Sequence, residues 1–169
     1  MKVKILEATK DHILALSHLV HAFWNEHASL LGRKSSVTLK DAEREVRKYL
    51  EMENAGYFIA VDNGEKIVGF RRWELHEDFY WTRELYVIPE MRMKGVARAL
   101  IRHFEKWVLE RGQDIACISC IPHNVAMIML ARSEGYDILN MIEMRKNLTD
   151  NQPEPRGEVE ALGLKWKII

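Results

Sequence analysis

Cysteine is scarce in this chain: Cys117 and Cys120 are the only two. Their Cys-x-x-Cys spacing lacks what its chemistry needs. A redox pair sits at a helix N-terminus, where the dipole lowers a thiol pKa. A zinc site needs two further ligands at related spacing. Ile115 to Ile121 instead reads as a buried strand, so two reduced core thiols and no metal are expected. Long apolar runs are missing too; none approaches the ~18 residues of a membrane span. Neither charge is in excess, with 25 Lys+Arg against 25 Asp+Glu. A net charge of zero gives no broad attraction to nucleic acid or to an anionic membrane, and neither is expected as a partner. The start, Met1-Lys2-Val3-Lys4-Ile5, reads as a strand without the apolar core of a signal peptide. A cytoplasmic protein is the expectation.

What is present suits a globular domain. The 169 residues are 47% hydrophobic and 30% charged, enough for a real core, and 1–169 reads as a single domain. Val3 to Ala8 reads as a strand. Thr9 or Asp11 then caps a helix carrying Ile13, Leu16, Leu19, Val20 and Phe23. Thr38 caps a second helix with Ala42, Val46, Tyr49 and Leu50 on one face. Three strands follow, Tyr57 to Val61, Lys66 to His76 and Phe79 to Ile88, joined by tight turns at Asp62-Asn63-Gly64 and Glu77-Asp78. Trp73 and Trp81 are expected to pack across adjacent strands.

The stretch from Glu84 to Tyr136 is the most informative. Strand Glu84-Leu85-Tyr86-Val87-Ile88 runs through Pro89 into the polar turn Arg92-Met93-Lys94-Gly95-Val96-Ala97. A helix from about Gly95 to Arg111 puts Val96, Leu100, Phe104, Trp107 and Val108 on one face. A strand to Ile121, a helix from Asn124 to about Glu134, and a strand from Ile138 to Leu148 follow. Residues 149–158 read as a loop before a last strand, on which Leu162, Leu164, Trp166 and Ile168 alternate. The turn places a glycine where a helix begins. Unpaired N–H groups there, with the positive end of the helix dipole behind them, suit a phosphate or pyrophosphate.

The run Arg92-x-x-Gly95-x-Ala97 after Leu85-Tyr86-Val87-Ile88-Pro89 resembles motif A of the GCN5-related N-acetyltransferases, and Asn124, Leu130 and Gly135-Tyr136 resemble that family's second signature. The elements can be matched from about Val3 to Leu148. The resemblance implies an α/β (α+β) fold, with a mixed central sheet of about seven strands and helices on both faces. It also implies acetyl-CoA as cosubstrate and direct transfer to a primary amine, on a small molecule or a protein, within a ternary complex. Leu85 and Val87 would offer backbone groups to the pantetheine arm. The amides from Arg92 through Met93, Lys94, Gly95 and Val96 to Ala97 would hold the pyrophosphate. The Lys94 and Arg98 side chains would add charge nearby. Asn124 would bond the arm or a structural water, and it also suits a helix cap.

Glu84 is the candidate general base; the other reading is a strand carboxylate paired to Arg83 or Arg72. One position departs from the family pattern. Counting from Asn124, Ala131 stands where a tyrosine usually protonates the leaving thiolate. A non-catalytic acyl-CoA-binding module is therefore the alternative reading. A flavodoxin-like or Rossmann nucleotide binder would need parallel βα repeats, which three consecutive tightly joined strands oppose. Trp24 and His27 read as helix-face packing. The tail is expected to pair with a sheet, the chain's own or a partner's, and the resemblance implies a possible homodimer.

Overall fold

In this computed structural model, which describes residues 3–149 and 154–169, the chain divides into two compact units, one up to Cys120 and one from Ile121 on. The first holds β1 (Lys4–Glu7), α1 (Ile13–Leu30), α2 (Leu39–Leu50), β2 (Ala55–Val61), β3 (Ile67–His76), β4 (Phe79–Val87), α3 (Val96–Leu109) and β5 (Ala116–Ile118). These strands form one mixed sheet in chain order, antiparallel from β1 to β4 and parallel between β4 and β5. The parallel pair requires a crossover, and α3 supplies it.

Helices cover both faces of this sheet. On one face, Ile13, Leu16 and Val20 of α1 and Ala42 and Val46 of α2 pack against Tyr57, Ile59, Phe70 and Tyr86. On the other, Val96, Leu100, Phe104, Trp107 and Val108 of α3 pack against Phe58, Ala60, Val68, Trp73 and Val87. Tyr57, Phe58, Ile59 and Ala60 thus alternate between the two cores, as a pleated strand with both faces covered must. The α2 start is as read from sequence: Thr38 Oγ1 accepts from the Asp41 amide at 3.2 Å, and the Asp41 carboxylate accepts from the Thr38 amide at 3.0 Å.

Arg71 lies fully buried on the α3 face. Its guanidinium sits 3.7 Å over the Phe104 ring and donates to the carbonyls of Leu100 and Ile101 and to Thr82 Oγ1. A buried charge persists only with such partners.

Several expectations are corrected. Of the seven strands among the described residues, five form the mixed sheet, and β6 (Gly157–Ala161) and β7 (Leu164–Ile168) form a separate hairpin in the second unit. The tail therefore pairs with residue 157 onward and not with the five-stranded sheet, and part of the expected loop is strand. Leu162 and Gly163 both have positive φ, the geometry of a two-residue hairpin turn. Residues 150–153 of that loop lie outside the described residues. Residues 138–148 form no strand. Ile138 and Leu139 are 86% and 71% exposed, and the apolar residues there do not alternate as a paired strand requires. β5 is shorter than expected, so only Cys117 is buried while Cys120 lies beyond the strand and exposed; both are free thiols. Trp73 packs on Trp107 of α3, ring centres 4.6 Å apart, and stands opposite Thr82 rather than Trp81.

Phe104 carries the α3 core and the underside of Arg71 together. Phe104→Ala should cost about 3–5 kcal/mol, read as a lowered urea midpoint at unchanged slope. A loss below about 1 kcal/mol would mean that the α3 face does not pack as described.

Candidate active site

The site begins with one extra residue. Register between β3 and β4 pairs Arg72 with Glu84 and Trp73 with Thr82, so Arg83 has no partner and β4 bulges there. Side chains two apart on a strand normally share a face. The bulge breaks that rule: Thr82 meets Arg71 on the α3 face, whereas Glu84 meets Arg72 on the α2 face.

Glu84 is 4% exposed. Its Oε1 accepts from Arg72 Nε at 2.7 Å. Arg72 also donates from Nη1 to Glu74 Oε2 at 3.1 Å and lies 4.1 Å over the Tyr49 ring. Beside it, Trp24 Nε1 of α1 donates to Glu45 Oε2 of α2 at 2.9 Å. A pocket of about 380 Å³ opens here, with Glu84, Glu45, Arg72, Tyr49 and Trp24 in its walls and Asp41, Arg44 and Lys48 on α2 completing them. Burial pushes the Glu84 carboxyl up to about 7; Arg72 opposes that, while Glu45 and Glu74 add to it. Burial likewise raises Glu45, against the Trp24 hydrogen bond and the charges of Arg72 and Lys48. A carboxyl with its proton affinity near neutrality, on a pocket wall, can take and return a proton.

The open edge of β4 adjoins this pocket. β5 pairs only with Tyr80, Trp81 and Thr82, and the Ser119 amide adds a last bond to the Thr82 carbonyl at 3.2 Å. The Ile88 amide donates to Val68 across β3 at 3.0 Å. Alternation along an antiparallel strand then points the backbone groups of Leu85 and Val87 the other way, toward the edge that β5 leaves uncovered. Their side chains pack into the α3 core. One of these backbone groups is taken: the Val87 carbonyl accepts from Arg92 Nε at 2.9 Å, and Arg92 Nη2 donates to Glu26 Oε2 of α1 at 2.5 Å.

The turn into α3 leaves both backbone amides and space open. Met93 and Gly95 both have positive φ, 57° and 82°. Gly95 is the residue before the helix and no side chain caps it, and a Cβ built there would meet nothing within 4 Å. The first intrahelical bond runs from the Ala99 amide to the Gly95 carbonyl. The amides from Met93 to Ala97 have no acceptor among the described residues. Two details differ from the sequence reading. The Arg92 amide already donates to the Pro89 carbonyl at 3.2 Å, and Lys94 Nζ donates to the Glu90 carbonyl at 2.7 Å. Room, open amides and a helix dipole in one place fit a pyrophosphate.

Glu84, Leu85, Val87 and the turn thus lie together in the first unit. Asn124 belongs to the second, where its Oδ1 caps α4 (Val125–Ser133) by accepting from the Met127 amide at 3.1 Å. Sequence reasoning missed Glu45, Tyr49 and Arg72 as pocket residues. The available signal was Glu45 itself, a carboxylate between Ala42 and Tyr49 on the apolar face of α2.

The family model described as the Acetyltransferase (GNAT) family matches residues 19–136, more than half of the chain. No curated protein matches it in sequence. Among solved structures, the chain is similar to AAC(6')-Iy in complex with the bisubstrate analogue CoA-S-monomethyl-acetylneamine, at 16% identity and a TM-score of 0.72 over 88% of this chain and 100% of that one. It is similar to aminoglycoside 6'-N-acetyltransferase AAC(6')-IG from Acinetobacter haemolyticus, at 17% identity and a TM-score of 0.69 over 87% and 99%. A protein described as a transcriptional regulator from Bacillus halodurans gives 15% identity and a TM-score of 0.67 over 86% and 100%. Identities this low speak for a shared fold, and the match to the family model carries the assignment. The chain belongs to the acetyltransferase (GNAT) family.

Proposed function

We propose that this protein moves the acetyl group of acetyl-CoA directly to a primary amine within a ternary complex. The observation that supports this most is the meeting of three features at one end of β4: an uncovered strand edge at Leu85 and Val87, an uncapped α3 start with open amides, and Glu84 buried beside them. Bound acetyl-CoA supplies an activated acetyl thioester. The Leu85 backbone and the Val87 amide would pair with the pantetheine arm as an added strand does. The amides from Met93 to Ala97 would hold the pyrophosphate.

Glu84 would take a proton from the incoming ammonium, leaving a free amine to attack. The Val87 amide would donate to the carbonyl oxygen as charge develops there. With Ala131 at the family's tyrosine position, water would protonate the departing thiolate. The pocket walled by Glu45, Glu84, Trp24 and Tyr49 would receive the amine, since carboxyl groups and aromatic faces both attract a cation. Aminoglycoside amines belong in the acceptor panel, because AAC(6')-Iy is described with an acetylneamine analogue.

The experiment is thiol release from acetyl-CoA with a panel of aminoglycosides, polyamines, lysine peptides and peptide N-termini. At least one amine should stimulate release. Glu84→Gln should lower the rate at neutral pH by about a hundredfold or more, with the loss shrinking at high pH where the amine is already free. CoA binding without release for any amine would favour the non-catalytic acyl-CoA module. A Glu84→Gln rate and pH profile equal to wild type would leave Glu84 a structural residue.

Glu84 also links stability to pH. Its folded pKa of about 7 lies above the ordinary 4.5, so the folded chain holds this proton more tightly. Its contribution is complete below pH 4.5 and is lost as pH rises through about 7. The urea midpoint should fall across that window in the wild type and fall less in Glu84→Gln. Equal slopes in both proteins would contradict the assignment of the proton to Glu84.

A further inference from the structure

Two carboxyl groups in the pocket are each half satisfied. Glu45 Oε2 accepts from Trp24 Nε1, and Glu84 Oε1 accepts from Arg72 Nε. The other two oxygens, Glu45 Oε1 and Glu84 Oε2, are buried and meet no donor. Both carboxyl groups wall the same pocket, each with one such oxygen. Two acceptors can hydrogen-bond to each other only with a proton between them. Like charges sharing a pocket resist ionising together.

We infer that one proton is shared between Glu45 and Glu84, and that Glu45 is a positioning residue which sets the proton affinity of the base and carries its proton outward. The catalytic half of this inference rests on the function proposed above; the shared proton does not. The surroundings agree. From β3, Arg72 neutralises one negative charge and Glu74 adds another. From β2, the Tyr57 hydroxyl is buried, and burial together with the charges of Glu84 and Glu45 raises it far, so it stays neutral. From α1, Trp24 fixes one Glu45 oxygen and leaves the other for Glu84. From α2, Lys48 faces Glu45, whose side chain is only partly buried. Among the described residues Arg72 is the buried cation facing Glu84, Arg83 of β4 lies 3.7 Å from Glu74, and a single shared proton balances the rest.

The proton count closes. In its active form the pair has released the shared proton. The ammonium gives one back to the pair and becomes the amine. The amine nitrogen bonds to the acetyl carbon, the carbon–sulfur bond breaks, and the nitrogen's second proton goes by way of water to the thiolate. The pair then releases its extra proton through Glu45 to solvent.

The test is ¹³C-carboxyl NMR of the free protein titrated with acid, in wild type, Glu45→Gln and Trp24→Phe. No substrate is present, so the result is independent of whether Glu84 acts as a base. In wild type, both carboxyl signals should move in two shared steps. Glu45→Gln should lower the Glu84 midpoint by about one pH unit or more, and shift the acid limb of kcat/KM the same way with KM for acetyl-CoA unchanged. Trp24→Phe should raise the Glu45 midpoint, because a donor to its carboxylate is gone. An unmoved Glu84 midpoint in folded Glu45→Gln overturns the inference. Should that variant fail to fold, unmoved Glu45 and Glu84 midpoints in Trp24→Phe overturn it. A moved midpoint with full activity in Glu84→Gln keeps the shared proton and rejects the base.

Discussion

The unpaired residue Arg83 in β4 is the constraint on which the site depends. Without it, Glu84 would share a face with Thr82 and lie under α3 among apolar side chains. With it, Glu84 turns to the α2 face, where Arg72 donates to it and Glu45 and Tyr49 line the same pocket. β5 ends its pairing at Thr82, just before the bulge. Beyond that point Leu85 and Val87 face the edge that β5 leaves uncovered. Bulges commonly re-aim a side chain and end a ladder in this way.

The two faces of the sheet solve the burial of charge differently. On the α3 face, Arg71 meets neutral groups, two carbonyls, a hydroxyl and the Phe104 ring. That arrangement serves the fold. On the α2 face, Arg72 meets more carboxylate than it can neutralise. A buried ion pair seldom adds net stability, because desolvation offsets the attraction. Burial lifts the Glu84 carboxyl, and Glu45 beside the Arg72–Glu84 pair lifts it further.

Local signals in the sequence were enough for the elements that carry the turn. Strand β4, the left-handed Gly95, the apolar face of α3 and the Thr38 cap all follow from period and turn chemistry that act within a few residues. Glu84 was legible as a candidate, and Arg72 as one of its two possible partners. The bulge was not, because no local residue pattern announces which strand takes the extra residue. Glu45 and Trp24 read as helix-face residues, since their role appears only when α1 and α2 are brought over β4. The Arg92 amide was read as open, yet the short turn after Pro89 consumes it. Residues 138–148 read as a strand from composition, but a strand exists only with a partner, and none pairs with it among the described residues.

The central claim is that the α3 start at Gly95 holds the diphosphate of the cosubstrate. Calorimetric titration of CoA into the wild-type protein and into Gly95→Glu tests it most directly. The account predicts saturable binding to the wild type and none to the variant. The added carboxylate would stand in the open space a phosphate needs, at a φ of 82° that side chains resist. Circular dichroism of the variant should remain that of a folded protein. Equal CoA affinity in a folded Gly95→Glu protein would contradict the placement.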